Sequence, residues 1–157
     1  MNLTFVPYGN AKIDLNAKTV SCQHGDVECS GNSYEQCAIE AYPDAADYLP
    51  FVGCLASAGS AKMHLDQTFE DCANGASLDF GKIKACHDDV GKAWELQVKY
   101  SELTPADHQW TPWVVVDGTL YEDGEFIDVV CEAYTGTKPE ACEGKANGKD
   151  LRSMNKW

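Results

Sequence analysis

Short alternating runs stand near the two ends of this chain, and helical periods fill the middle. Leu3-Thr4-Phe5-Val6 reads as a short strand, closed by Pro7 and the turn residues Tyr8-Gly9-Asn10. Ile13, Leu15 and Val20 alternate with Lys12, Asp14 and Thr19, and Asn16-Ala17-Lys18 suits a hairpin turn between them. From Gly25 to about Tyr42, the residues Val27, Tyr34, Cys37, Ala38 and Ala41 share a helical face. Asp26 and Glu28 stand at its N-terminal end, where negative charge is favoured, Gly31 weakens its middle and Pro43 ends it. A second helix is expected over Asp44–Gly59, with Asp44 as N-cap and Tyr48, Phe51, Val52 and Leu55 as its apolar side. Pro50 should kink or divide it. Shorter helices follow over residues 65–73, closed by Asn74-Gly75, and over Phe80–Cys86. His87 to about Leu103 is the longest helical candidate, with Val90, Trp94 and Val98 four apart and Thr104-Pro105 as the stop. Trp110-Thr111-Pro112-Trp113 then leads into a strand at Val114-Val115-Val116, and Asp117-Gly118 turns it into a second strand at Thr119–Tyr121. Gly124 to about Tyr134 is amphipathic through Phe126, Ile127, Val130 and Tyr134, with Gly136 as C-cap.

Strand, helical block, hairpin, helix is a thioredoxin-like order with an inserted helical subdomain. The expected class is therefore α/β, with the first strand and first helix of that fold absent. The expected domain runs over residues 1–137, with the insertion at about 25–103 and a polar tail at 138–157. In that arrangement Leu3–Val6 has lost its neighbouring strand. It either stays poorly paired or moves in beside Trp113–Val116, and both outcomes leave an apolar edge that invites dimerisation.

Charge narrows the partners. The chain has 157 residues and a formal charge of −13, with acids spread along it. Phosphate binding needs clustered Lys and Arg, so nucleic acid and anionic membranes are excluded as expected partners. No apolar run is long enough to span a bilayer. Eight cysteines form no Cys-x-x-Cys, which disfavours both a zinc ribbon and a thioredoxin-type redox motif. A disulfide framework using Cys22, Cys29, Cys37, Cys54, Cys72, Cys86, Cys131 and Cys142 is the expectation, and with it an oxidising compartment. Asn2-Leu3-Thr4 is an N-glycosylation sequon. Met1 leads directly into apolar residues without a signal-peptide pattern, so a secretory signal is expected outside this sequence.

The densest chemistry lies at Cys22 to Cys37, which fits C-Q-H-G-x-x-E-C-x-x-N-x-x-x-x-C through Cys22, Gln23, His24, Gly25, Glu28, Cys29, Asn32 and Cys37. This resembles the signature of the gamma-interferon-inducible lysosomal thiol reductase (GILT) family. Val6-Pro7-Tyr8-Gly9-Asn10-Ala11 and Pro112-Trp113-Val114 with Asp117-Gly118 resemble the same family. The resemblance implies a thioredoxin-like fold and reduction of protein disulfides in acidic endosomes and lysosomes, or a secreted relative. It implies disulfide-containing protein substrates and no cofactor. It also places the family's Cys-x-x-Cys centre upstream of Met1, so no residue here inherits the catalytic role. Pro112 matches the proline that faces the redox pair in thioredoxin-like folds, usually cis, which makes Thr111, Pro112 and Trp110 substrate-facing candidates.

A reductase thiolate is scarce in acid, because a thiol with a pKa near 8.5 is ionised on the order of once in 10,000 molecules at pH 4.5. Cys29, in a first helical turn, is the one cysteine whose pKa a helix dipole is placed to lower, with Cys22 to resolve it. Asp26 and Glu28 oppose that, and the competing reading makes both cysteines structural half-cystines. In one continuous helix Cys29 and Cys37 lie about 12 Å apart, beyond the ~7 Å that a disulfide spans between Cα atoms. Cys54, Cys72 and Cys86 are expected to staple the helical block, and Cys131 and Cys142 to pin the tail. Zinc is disfavoured, since the spacing of Cys22, His24, Cys29 and Cys37 suits no usual site. Gln23, His24 and Asn32 read as structural hydrogen-bonders around a turn at Gly25. His64, His87 and His108 read as surface histidines. Trp110 and Trp113 form either a substrate-facing lip or core packing. A non-catalytic secreted binding or inhibitory protein on the same scaffold is the alternative function.

Overall fold

The computed structural model describes residues 3–58 and 66–143. Asn2, His64 and the tail beyond residue 143 therefore lie outside the described residues. The chain divides into two compact units, one running to His108 and one starting at Gln109. The larger contains β1 (Lys12–Asp14), β2 (Thr19–Ser21), α1 (Asp26–Ala41), α2 (Ala45–Ala58), α3 (Asp66–Gly75), α4 (Phe80–Asp88) and α5 (Val90–Leu103). The smaller contains β3 (Val115–Val116), β4 (Thr119–Leu120), α6 (Phe126–Ala133) and a 3-10 turn at Glu140–Cys142. Among the described residues the sheets are two antiparallel pairs, with Ile13 opposite Val20 and Val115 opposite Leu120. The architecture is mixed, rich in helix and braced by four disulfides.

Local chemistry explains where elements start and stop. Asp14 Oδ1 accepts from the N–H groups of Asn16 and Ala17, which closes the β1–β2 turn. Asp79 and Asp89 cap α4 and α5 through their side chains. Asp89 is why the long helix expected from His87 to Leu103 does not exist. Its carboxylate accepts from Gly91 and Lys92 N–H, so α4 ends at Asp88 and α5 begins at Val90. Pro50 does not divide α2, which continues from Ala45 to Ala58. The β3–β4 turn places Asp117 and Gly118 at φ 48° and 78°, backbone that Gly adopts freely.

Leu3–Val6 is not a strand. Pro7 has no N–H to give a ladder. The carbonyls that follow are taken by α1 side chains: Gln36 Nε2 donates to Pro7 O at 2.8 Å, and Asn32 Nδ2 to Tyr8 O at 3.2 Å. The strand edge expected at Leu3–Val6 is therefore not formed.

The larger unit's core gathers on α1. Tyr34, Phe51, Leu55, Phe69 and Ile83 are fully buried, and Leu96 and Tyr100 bring α5 onto the same cluster. Tyr34 lies stacked between Phe69 and His87, each with ring centroids 3.9 Å away. Cys37–Cys86 ties α1 to α4, and Cys54–Cys72 ties α2 to α3. At the surface, Lys99 Nζ on α5 meets Glu40 on α1 at 2.8 Å. In the smaller unit Cys131 on α6 is bonded to Cys142, both buried, and Tyr121 packs edge-on against Phe126.

Candidate functional site

The segment Cys22–Cys37 crosses from the end of β2 into α1, and each of its eight marked residues has a structural partner or role. Gly25 stands at φ 79°, a left-handed conformation that lets the chain turn sharply into the helix. Glu28, three residues into that helix, reaches back. Its Oε2 accepts from His24 N at 2.7 Å and from His24 Nδ1 at 2.9 Å. The backbone N–H preceding the helix is thus satisfied by a carboxylate, a variant of the capping box. The His24 side chain itself is 73% exposed. Gln23 Oε1 accepts from Asn10 Nδ2 at 2.9 Å, and Asn10 Oδ1 lies 3.1 Å from His108 Nε2. Asn32 holds the Tyr8 carbonyl. Cys22 is bonded to Cys29 with Cα atoms 5.5 Å apart, and Cys37 to Cys86 at 5.8 Å. The segment is a clasp that joins the hairpin, the 7–10 loop and α1.

All eight cysteines are in disulfides, so the chain holds no thiol in this state. Among the described residues no cluster of His, Cys, Asp or Glu is arranged to hold a metal ion. The described helices include none long and apolar enough to cross a membrane.

Two titratable groups on or against α1 are not legible from residue spacing. His87 is half-buried, its Nδ1 is 2.9 Å from Ser33 Oγ, and its ring covers Tyr34. Burial pushes its imidazole below the ordinary value; Lys84 acts the same way, and Asp88 and Asp66 partly offset them. It is not the surface histidine expected from its isolation in sequence. Glu35 has no hydrogen bond or ion pair among the described residues, and desolvation raises its carboxyl to about 8. Tyr34, desolvated and beside Asp66, is pushed up to about 12. His108 is likewise drawn in, with Nδ1 donating to Pro105 O at 2.7 Å. Its contact with Asn10, 98 residues away, has no signal in sequence.

Trp110, Thr111 and Pro112 fall in the smaller unit. The Thr111–Pro112 peptide is cis, Thr111 and Pro112 are exposed, and Trp110 is 43% exposed with its ring against Trp113 at 4.8 Å. Trp113 is half-buried at the start of the strand region.

Comparison with known proteins places this clasp in a family. Residues 1–76 match the family described as "Gamma interferon inducible lysosomal thiol reductase (GILT)". A "Gamma-interferon-responsive lysosomal thiol protein" of Arabidopsis thaliana is 30% identical over 159 residues, covering 93% of this chain and 63% of that relative. The mouse "Gamma-interferon-inducible lysosomal thiol reductase" is 32% identical over 155 residues, covering 94% of this chain and 60% of the relative. A GILT-like protein of Caenorhabditis elegans is 26% identical over 155 residues, 92% of this chain and 69% of its own length. The chain thus spans about three fifths of the plant and mouse relatives. The clasp residues and these similarities together establish that the chain belongs to the gamma-interferon-inducible lysosomal thiol reductase family.

Proposed function

We propose that these residues are the disulfide-braced scaffold of a protein in the thiol–disulfide oxidoreductase lineage, which reduces disulfides of partly unfolded proteins in acidic compartments. The residues 1–157 do not themselves supply the reducing thiolate. One observation carries this: eight of eight cysteines are paired and none forms Cys-x-x-Cys, while exchange must begin from a thiolate. The names of the plant and mouse relatives support a lysosomal or secretory setting, and four disulfides suit an oxidising route of synthesis. Glycosylation at Asn2 belongs to the same proposal.

The fold within this reading is thioredoxin-like with a helical insertion, spanning 1–137, followed by a polar tail. It is supported by the order of hairpin and helix after the helical block. Thr111, Pro112 and Trp110 are its substrate-facing residues, supported by their exposure on one short segment with an aromatic ring available to an extended apolar chain. The absence of a thiol equally favours a secreted, non-catalytic binding protein on the same scaffold.

Reduction of a denatured, disulfide-bonded protein at about pH 4.5 with a small thiol as electron source tests the reading. This polypeptide should add nothing to the rate of the small thiol alone. Turnover above that rate, abolished by a C22S/C29S double substitution, overturns it. Tight, saturable binding to such a substrate without turnover selects the binding protein.

A further inference from the structure

The four disulfides differ in what exchange demands of them. Attack needs an approachable sulfur, and the sulfur expelled must carry negative charge as it leaves. A thiolate expelled into apolar surroundings is penalised, because burial raises the thiol pKa and leaves a charge poorly solvated. Attack at Cys86 would expel Cys37, which is 0% exposed. Attack at the exposed Cys54 would expel Cys72, 3% exposed within the core cluster. Cys131 and Cys142 are both buried. In Cys22–Cys29 both cysteines are only part-buried, so attack at either one expels a thiolate that is not enclosed in the core.

Two further observations point to the same bond. It closes the shortest loop, with a sequence separation of 7 against 11, 18 and 49. Its loss therefore releases the least chain entropy in the unfolded state. The elements it joins are also held by other means. Glu28 grips His24, Asn10 grips Gln23, Gly25 N–H donates to Cys22 O at 3.1 Å, and α1 is anchored through Cys37–Cys86 and Gln36.

We infer that Cys22–Cys29 is a surface redox couple, which a dithiol reductant opens reversibly while the other three disulfides stay closed. A thiolate of the reductant attacks Cys22 Sγ and forms a mixed disulfide. The Cys22–Cys29 bond breaks, and Cys29 leaves as a thiolate in the first turn of α1 and takes a proton from water. The reductant's second thiolate then attacks its own sulfur in the mixed disulfide. This closes the reductant's disulfide and releases Cys22, which is protonated in turn. Two electrons pass, the dithiol is oxidised and the pair is reduced. Because β2 and α1 keep their places, the two sulfurs remain poised to re-form the bond in air once the reductant is removed, with oxygen taking up the two electrons. The inference stands on accessibility within this chain and does not rest on the functional reading above.

Timed reduction of the native 157-residue protein with dithiothreitol at about pH 8, quenched with an alkylating agent and mapped by peptide mass spectrometry, provides the test. Cys22 and Cys29 should become alkylated together, at least about tenfold faster than any other cysteine, with the far-UV helix signal unchanged. Removing the reductant in air should restore the bond. A C22S/C29S protein should lose that fast phase and keep the slow ones. Should this variant fail to fold, the unaltered protein still decides, since a pair needed for folding cannot open with the helix signal intact. Reduction of Cys54–Cys72 first, or of all four pairs at one rate as the helices melt, overturns the inference.

Discussion

Removal of Cys37–Cys86 by a C37A/C86A double substitution is the most informative perturbation of the scaffold. The bond spans 49 residues and joins α1 to α4 across the centre of the larger unit. By the loop-closure relation, freeing a loop of that size returns about 4 kcal/mol of entropy to the unfolded chain. The same relation gives about 2.4 kcal/mol for Cys22–Cys29, whose separation is 7. Cys37 is also fully buried, so losing its sulfur removes core contacts as well. With a urea slope of about 2 kcal/mol/M, the midpoint should drop by about 2 M for C37A/C86A and about 1 M for C22A/C29A. Equilibrium urea unfolding followed by far-UV circular dichroism reads both. If C37A/C86A shifts the midpoint no more than C22A/C29A, then α1 and α4 are not held together in the way argued.

Three other outcomes follow from the same core. Tyr34→Ala, which removes the ring between Phe69 and His87, should cost about 3–5 kcal/mol by urea unfolding. His87 is depressed by burial, so its contribution to stability is present above its unfolded value and is lost as pH falls through its lower folded value. The protein's urea midpoint should therefore fall more between about pH 7 and pH 5 than that of His87→Phe, and an equal fall in both proteins would contradict the burial. Glu35 is raised to about 8, so its contribution is present below its unfolded value and is lost as pH rises towards the folded one. Glu35→Gln should raise the urea midpoint at about pH 8 and leave it near unchanged at about pH 4.

Much of the local structure was legible in residue order, because helices and hairpins are decided by neighbours. The α1 face through Tyr34, Cys37 and Ala38, the turn at Asp117-Gly118 and the amphipathic α6 all follow from spacing and turn chemistry. So does the absence of a Cys29–Cys37 bond, since a continuous helix separates them. Where a distant group competes, the local signal fails. Leu3–Val6 carries strand-like residues, yet the carbonyls just after it are claimed by Gln36 and Asn32 from α1. The helix expected from His87 is interrupted at Asp89, whose side chain caps a new helix beginning at Val90. His87 looked isolated because Ser33 and Tyr34 lie more than fifty residues upstream, and the cysteine pairing was open for the same reason. The signature itself told the family but not its own mechanics. Only the geometry reveals Glu28 reaching back to His24 and Asn10 holding Gln23.

Non-reducing peptide mapping with a thiol count on the denatured protein tests the central claim most directly. Four links should appear, 22–29, 37–86, 54–72 and 131–142, with no titratable thiol. A reproducible free thiol, or a link that pairs Cys22 or Cys37 differently, would contradict the picture of a closed, disulfide-locked clasp.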